Sequence, residues 1–325
     1  MKGISTLPEK FLERLQKQYP NHFEKILTTF HQRPPVIRVQ HLLTEDAPLL
    51  AELKKEGIEA QAIPSVPHAY QILHADRKTL TSLEAYEQGL FYIQSAASQV
   101  PVQVLDPQPG EKVLDLCAAP GSKTTQIAIH MKGRGELMAN EPNKDRFFKL
   151  LANLQHQKVD AFVTAKKHPG QNYPAFYPEY FDRVLVDVPC SSESRFIEGD
   201  QKTSRYWSQP KVKSLSKLQR ALLSAAIQCA KPGGTIVYST CSLSFEENEQ
   251  VLQKLLKKYP EVHLEQIQGD LKTLPVDPSV SGAIRLMPDE VFESFFVASL
   301  KKTKTVSRTA QGKALGNHKK QKYTL

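Results

Sequence analysis

The sequence predicts an α/β chain of two domains, and three observations predict it. At 325 residues it has the length of about two domains. From residue 100 onward, short apolar runs alternate with helical patterns, and strands joined by crossover helices make a parallel sheet with right-handed connections. Ahead of that, residues 1–95 mix short helices and strands without the alternation and read as a small α+β domain. Hydrophobic residues make 40% and charged residues 24%, a globular balance that excludes a wholly disordered chain.

In the first domain, Pro8 opens a helix whose Phe11 and Leu15 share a face, and Pro20 interrupts it. Asn21 is placed to cap a second helix, with Phe23, Ile26, Leu27 and Phe30 on one side. Residues 35–39 read as a strand. Residues 44–57 read as a helix entered at Thr44 and closed by Gly57, and 58–63 as another strand. A linking helix over 83–97 leads to the second domain. There, strands are predicted at 113–116, 135–139, 161–164, 184–188, 235–238 and 295–300. Helices are predicted at 121–131, 143–156, 215–230 and 246–259. Leu215, Leu218, Leu222, Ala225 and Cys229 line one face of the third of these, so Cys229 is expected in the core. Phe292, Phe295 and Phe296 are expected there too.

No run approaches the roughly 20 apolar residues of a membrane helix, and the first residues show no secretory h-region. A cytoplasmic location with free thiols is expected. The four cysteines form no C-x-x-C pair and the ten histidines no ligand spacing, so no metal is expected. The formal charge is +9, yet residues 301–325 alone hold eight basic residues and no acid, which leaves 35 basic against 34 acidic, or +1, for residues 1–300. Residues 303–325 read as a basic disordered tail suited to a polyanion such as RNA.

Three segments place polar residues where a strand ends, and ligands of parallel sheets lie beyond those ends. The first, VLDLCAAPGSKTTQIA (113–128), runs a buried strand through small residues into a helix whose free N–H groups suit an anion. It matches neither a dinucleotide fingerprint nor a P-loop. A merely tight strand–helix turn explains it as well. The second, FDRVLVDVPCSS (181–192), presents Asp187 and Cys190. The third, GGTIVYSTCSLSFEENE (233–249), presents Ser239, Thr240 and Cys241. A single cysteine at a strand end is usually a small buried residue; two of them beside an aspartate are harder to dismiss.

Together DLCAAPGSKT, DVPCSS and GGTIVYSTCSLSFEENE resemble the Sun/Fmu-type (Nol/Nop/Sun) family of S-adenosylmethionine-dependent RNA cytosine-5-methyltransferases. GLFYIQSAAS (89–98) fits the family's preceding segment, and PPVIRVQ resembles its RNA-recognition-like domain. The resemblance covers roughly residues 33–300. It implies a Rossmann-like methyltransferase fold at 96–302, a seven-stranded, mostly parallel sheet with its last strand antiparallel. It also implies an N-terminal α+β RNA-binding domain over 1–95. By that resemblance, Cys117, Ala118, Ala119, Pro120, Gly121, Ser122 and Lys123 wrap the cofactor's methionine end. Ser122 stands where the family has a second glycine, which is tolerable at negative φ. Glu141 takes the ribose hydroxyls with Arg146 in support. Lys166 and Lys167 stand where the family usually has an aspartate near the adenine.

Cytosine carbon 5 is a poor nucleophile, and a thiolate adding to carbon 6 activates it. The resemblance assigns that thiolate to Cys241. Asp187 then holds the Watson–Crick edge beside the cofactor, and Cys190 assists the later steps. The base must be unstacked, so single-stranded or flipped ribosomal or transfer RNA is the expected partner of a monomer. Tyr206 and Trp207 are candidates for stacking on bases, with surface packing as the alternative. A rival function is an RNA-binding ribosome-assembly factor on a degenerate methyltransferase fold.

Overall fold

In the computed structural model, which describes residues 6–306, the chain forms two sheets. It opens with α1 (Glu9–Gln18) and α2 (Phe23–Leu27). The first sheet then follows through β1 (Val36–Val39), α3 (Asp46–Lys55), β2 (Glu59–Ala62), β3 (Ala69–Leu73), α4 (Arg77–Thr81), α5 (Glu84–Glu87) and β4 (Phe91–Ile93). It is antiparallel in the order β2-β3-β1-β4. Ile37, Val39, Leu49, Leu53, Ile72 and Phe91 form its core against the helices.

The single linking helix expected over 83–97 is not there. It is α5, then β4, then the start of α6 (Ala96–Leu105). Gly89 is the physical reason. Its φ is +79°, and a Cβ there would lie 2.3 Å from the His156 carbonyl oxygen, so the chain turns sharply against a packed neighbour. Phe91, Tyr92 and Ile93 then pair with β1, where aromatic and β-branched side chains fit.

The second sheet is built from β5 (Lys112–Asp115), α7 (Ser122–His130), β6 (Glu136–Asn140), α8 (Lys144–His156), β7 (Val163–Lys166), β8 (Phe181–Asp187), α9 (Gln209–Cys229), β9 (Ala230–Thr240), α10 (Glu249–Lys258), β10 (Val262–Glu265), β11 (Thr273–Leu274), β12 (Ile284–Leu286) and β13 (Phe296–Lys302). Its order is β11-β12-β13-β9-β8-β5-β6-β7, with β10 on β13. β7-β6-β5-β8-β9 are parallel, and β10 to β13 pair antiparallel. The sheet therefore has nine strands where seven were expected. The unforeseen β10, β11 and β12 are two to four residues long, too short to show a period.

Strand order reverses between β5 and β8, which puts a switch-point crevice beyond Asp115 and Asp187. Arg38 of β1, 3% exposed, ties the first domain to the helix at that crevice. It donates to Gln94 Oε1 at 3.0 Å, the Ser122 carbonyl at 2.9 Å and Thr125 Oγ1 at 2.9 Å. The leading helices pack elsewhere: Phe11, Leu15, Tyr19 and Ile26 form a cluster with Phe196, Leu243 and Met287 of the large domain. No helix among the described residues is long and apolar enough to cross a membrane. Of the tail expected over 303–325, residues 307–325 lie outside the described residues, but 303–306 are held in place: Thr303 N donates to the Glu261 carbonyl at 2.8 Å and Thr305 Oγ1 to Glu179 at 3.0 Å. Lys302, counted with the tail by charge, is buried at the end of β13 and paired with Glu179 at 2.8 Å.

Candidate active site

The apolar run of β5 ends on Asp115, and the next residues turn back under the strand. Ala118 N donates to the Asn140 carbonyl and Gly121 N to the Ala118 carbonyl, each at 2.8 Å. Gly121 has φ +111°, and a Cβ on it would sit 3.1 Å from Leu150 Cδ1, so the turn needs glycine. Ser122 is the first residue of α7 and is not among the positive-φ residues, so it replaces the expected glycine without strain.

These residues wall a cleft of about 340 Å³. Of the residues singled out in the sequence, Cys117, Ala118, Ala119, Pro120, Ser122, Lys123, Arg146, Asp187, Cys190 and Cys241 line it. Gly121 shapes the turn from behind. Glu141, 3% exposed at the end of β6, accepts from Asn143 N at 2.9 Å and pairs with Arg146 at 3.4 Å; Arg146 donates to the Ala119 carbonyl at 2.6 Å. Lys166 and Lys167 are exposed and are not among the lining residues.

Lys123 is not a solvated lysine. Its ammonium is buried over the Phe295 ring at 5.1 Å and donates to Asp187 Oδ2 at 2.7 Å and Ser98 Oγ at 2.8 Å. Ser239 Oγ donates to the other Asp187 oxygen at 2.9 Å. Asp187 is thus oriented from both sides at the tip of β8.

Past β8 and β9, the sulfurs of Cys190 and Cys241 lie 3.2 Å apart. The hydrogen bond from Cys190 holds the Cys241 thiol down at about 7, with the Arg195 charge assisting against burial. The same bond, together with burial, pushes Cys190 well above the ordinary thiol range. The two shifts run in opposite directions, so of the pair Cys241 ionises more readily than Cys190. Burial pushes Cys117 up as well, and Cys229 is fully buried in α9. Phe295 and Phe296 are buried, and Phe292 is half-buried.

The loop after Cys241 is caged. Ser194 donates to the Cys241 carbonyl through N at 3.2 Å and Oγ at 2.8 Å. Leu243 N donates to Glu193 Oε2 at 3.2 Å, and the single proton of Ser242 Oγ is shared between Glu247 Oε2 at 2.7 Å and Glu193 Oε2 at 3.2 Å. Gln18 and Tyr19 of the leading helix donate to the Leu243 carbonyl at 2.8 and 3.0 Å. Arg14 forms an ion pair with Glu193, and Trp207 Nε1 donates to the same carboxylate at 2.7 Å. Trp207 is therefore half-buried packing, and Tyr206 beside it is exposed.

Sequence reasoning missed Ser98, Asp115, Ser192, Arg195 and Phe295, which also line the cleft. Asp115 carried a usable signal, an acid ending an apolar strand as Asp187 does. Its Oδ2 accepts from Thr124 at 2.7 Å, its Oδ1 is buried without a partner, and burial raises it to about 7. The fold also gathers His41, Asp46 and His68, which no spacing suggested. Asp46 bonds His41 at 2.7 Å, His68 at 2.8 Å and Tyr70 at 2.8 Å, so the group satisfies itself.

The sheet order and the cleft at its switch point define a protein of the Rossmann-like methyltransferase fold. The chain belongs to the family of 16S rRNA methyltransferases RsmB/F, whose model matches residues 102–301; the ferredoxin-like domain of the RsmF/B-like methyltransferases matches residues 7–76. It is 36% identical over 318 residues to ribosomal RNA small subunit methyltransferase F of Erwinia tasmaniensis and, at the same identity, to that of Klebsiella pneumoniae. Each match takes in 92% of this chain and 64% of the relative, so the chain spans just under two thirds of their length. The crystal structure of a methyltransferase homolog protein from Pyrococcus horikoshii superposes with a TM-score of 0.80 at 28% identity, covering 91% of this chain and 96% of that one.

Proposed function

We propose that this chain, acting as a monomer, transfers a methyl group from S-adenosylmethionine to carbon 5 of a cytosine in small-subunit ribosomal RNA, through a covalent bond between Cys241 and the base. One observation carries the reading: two thiols 3.2 Å apart past adjacent strand ends, and the lowered Cys241 thiol supports its role as the nucleophile.

The residues present fit the cofactor. The unpartnered Oδ1 of Asp115 suits an ammonium group, the N-terminus of α7 suits a carboxylate, and Ala118 and Ala119 leave room between them. Glu141, just past the end of the next strand, and Arg146, in the first turn of the helix after it, stand where hydroxyl groups would be held. When bound, S-adenosylmethionine supplies an electrophilic methyl group.

Cys241 Sγ adds to carbon 6 of the cytosine, and the ring's double-bond electrons move toward N3, leaving carbon 5 electron-rich. Asp187, held by Lys123 and Ser239, accepts a hydrogen bond from the Watson–Crick edge and favours the ring protonated at N3. After methylation, carbon 5 gives its proton to solvent in the cleft, the C–H electron pair re-forms the carbon 5–carbon 6 double bond, and the carbon 6–sulfur bond breaks with its pair returning to Cys241. Cys190, a neutral thiol against that sulfur, assists the release.

The test is transfer of labelled methyl to deproteinised 16S RNA by the full chain. RNase-sensitive label that disappears in Cys241→Ala supports the reading, and Cys190→Ala should accumulate a covalent protein–RNA adduct. Label that persists in Cys241→Ala refutes it.

A further inference from the structure

The net charge of residues 1–300 conceals a strongly basic stretch. Residues 201–220 hold six basic side chains and no acid. Lys202, Arg205, Lys211, Lys213 and Lys217 are all exposed. Among them, Tyr206 is 67% exposed, more than any other exposed large apolar side chain among the described residues. The Arg205 guanidinium lies 4.4 Å from the centre of its ring and the Lys211 ammonium 5.8 Å. An aromatic face flanked by two cations matches what a nucleotide presents, a flat base and an adjacent phosphate.

Position ties this group to the cleft. Trp207, the next residue, is anchored inward: its indole packs on Phe11 at 5.7 Å and donates to Glu193. Glu193 opens the short turn Glu193–Arg195, and Arg195 lines the cleft beside Cys241. Tyr206 is therefore held outward on a fixed base, one residue from a side chain bonded to the turn that carries Arg195.

We infer that Arg205, Tyr206 and Lys211 form a docking subsite for a single-stranded RNA nucleotide flanking the base in the cleft. The ring or the guanidinium over it stacks the flanking base, and the two cations take the neighbouring phosphates. Stacking on a bare ring tolerates any base, so the subsite adds affinity and sets the direction of the strand without selecting sequence. The inference rests on the RNA reading above, and its test is chosen to fail separately from it.

The probe is a short fluorescein-labelled single-stranded oligoribonucleotide of mixed sequence, titrated against the full chain at several salt concentrations. Tyr206→Ala should weaken binding by roughly tenfold, while Tyr206→Trp binds as the parent does. Arg205→Gln with Lys211→Gln should lower the salt slope by about 1.4, two phosphates' worth for single strands. With 16S RNA, Tyr206→Ala should raise KM and leave kcat and cofactor affinity unchanged. An unchanged melting midpoint excludes misfolding of this surface variant. The subsite is overturned if Tyr206→Ala binds within about twofold of the parent, if the parent does not bind the oligonucleotide, or if an acidic protein competes equally well for Tyr206-dependent binding. Absence of Cys241-dependent methyl transfer refutes the proposed function, and the binding comparison still decides the subsite.

Discussion

Replacing Arg14 with alanine removes the only cation that, among the described residues, pairs with Glu193, a carboxylate with no exposure at all. Glu193 would keep three neutral donors, Trp207 Nε1 at 2.7 Å and Ser242 Oγ and Leu243 N at 3.2 Å. Breaking a buried pair by removing one partner costs about 3–5 kcal/mol. The surviving donors and the 14% exposure of Arg14 place this case at the lower end, about 3 kcal/mol. At roughly 2 °C per kcal/mol for a chain of this size, the melting midpoint should fall by about 6 °C. Activity should fall further than stability explains, because Glu193 also holds the peptide N–H two residues past Cys241. The assay pairs thermal melting with the alkylation rate of Cys241 below the transition. Arg14→Met combined with Glu193→Gln should recover most of the stability, since charge and counter-charge leave together. If Arg14→Ala melts within about 1 °C of the parent, the leading helix does not support the nucleophile loop and the reasoning is wrong.

Three further outcomes follow from the same geometry. Alkylation of Cys241 should rise with pH through a midpoint near 7, because a lowered thiol is ionised above that value; in Cys190→Ala the midpoint should move up toward the ordinary thiol range, as measured by iodoacetamide kinetics. Gly89→Ala should cost at least about 2 kcal/mol in urea unfolding, since its Cβ would meet a backbone oxygen at 2.3 Å in a left-handed conformation. Lys123→Met should lower kcat about tenfold or more by freeing Asp187 from its charged partner, while rRNA affinity holds; equal losses in kcat and affinity would count against an orienting role.

The chemistry-bearing edge was legible because each of its residues ends a local apolar run. Asp187 closes β8, Cys190 follows a stiffening proline, and Cys241 follows β9, so strand and tip are read in one window of sequence. Glu141 follows β6 in the same way, and Arg146 lies in the first turn of α8. What stayed hidden depends on distance along the chain. Arg14 and Glu193 are 179 residues apart, and nothing near either one announces the other. Asp115 shares the signature of Asp187, yet only the folded surroundings reveal that one of its oxygens has no partner.

Charge behaved in a third way. Residues 201–220 carry six basic side chains and no acid, a signal present in the sequence from the start, but the near-zero sum over residues 1–300 averaged it away. A sum of charges describes solubility and long-range steering. Docking depends on which charges share a face, within a Debye length of about 8–10 Å. That grouping exists only once Trp207 is pinned to Glu193 and α9 starts at Gln209, so that Arg205, Tyr206 and Lys211 come together. The fold turns an inconspicuous composition into a local field beside the cleft. On the proposed function, the basic surface should therefore affect capture of the RNA, and substitution of the thiol pair should affect the chemical step.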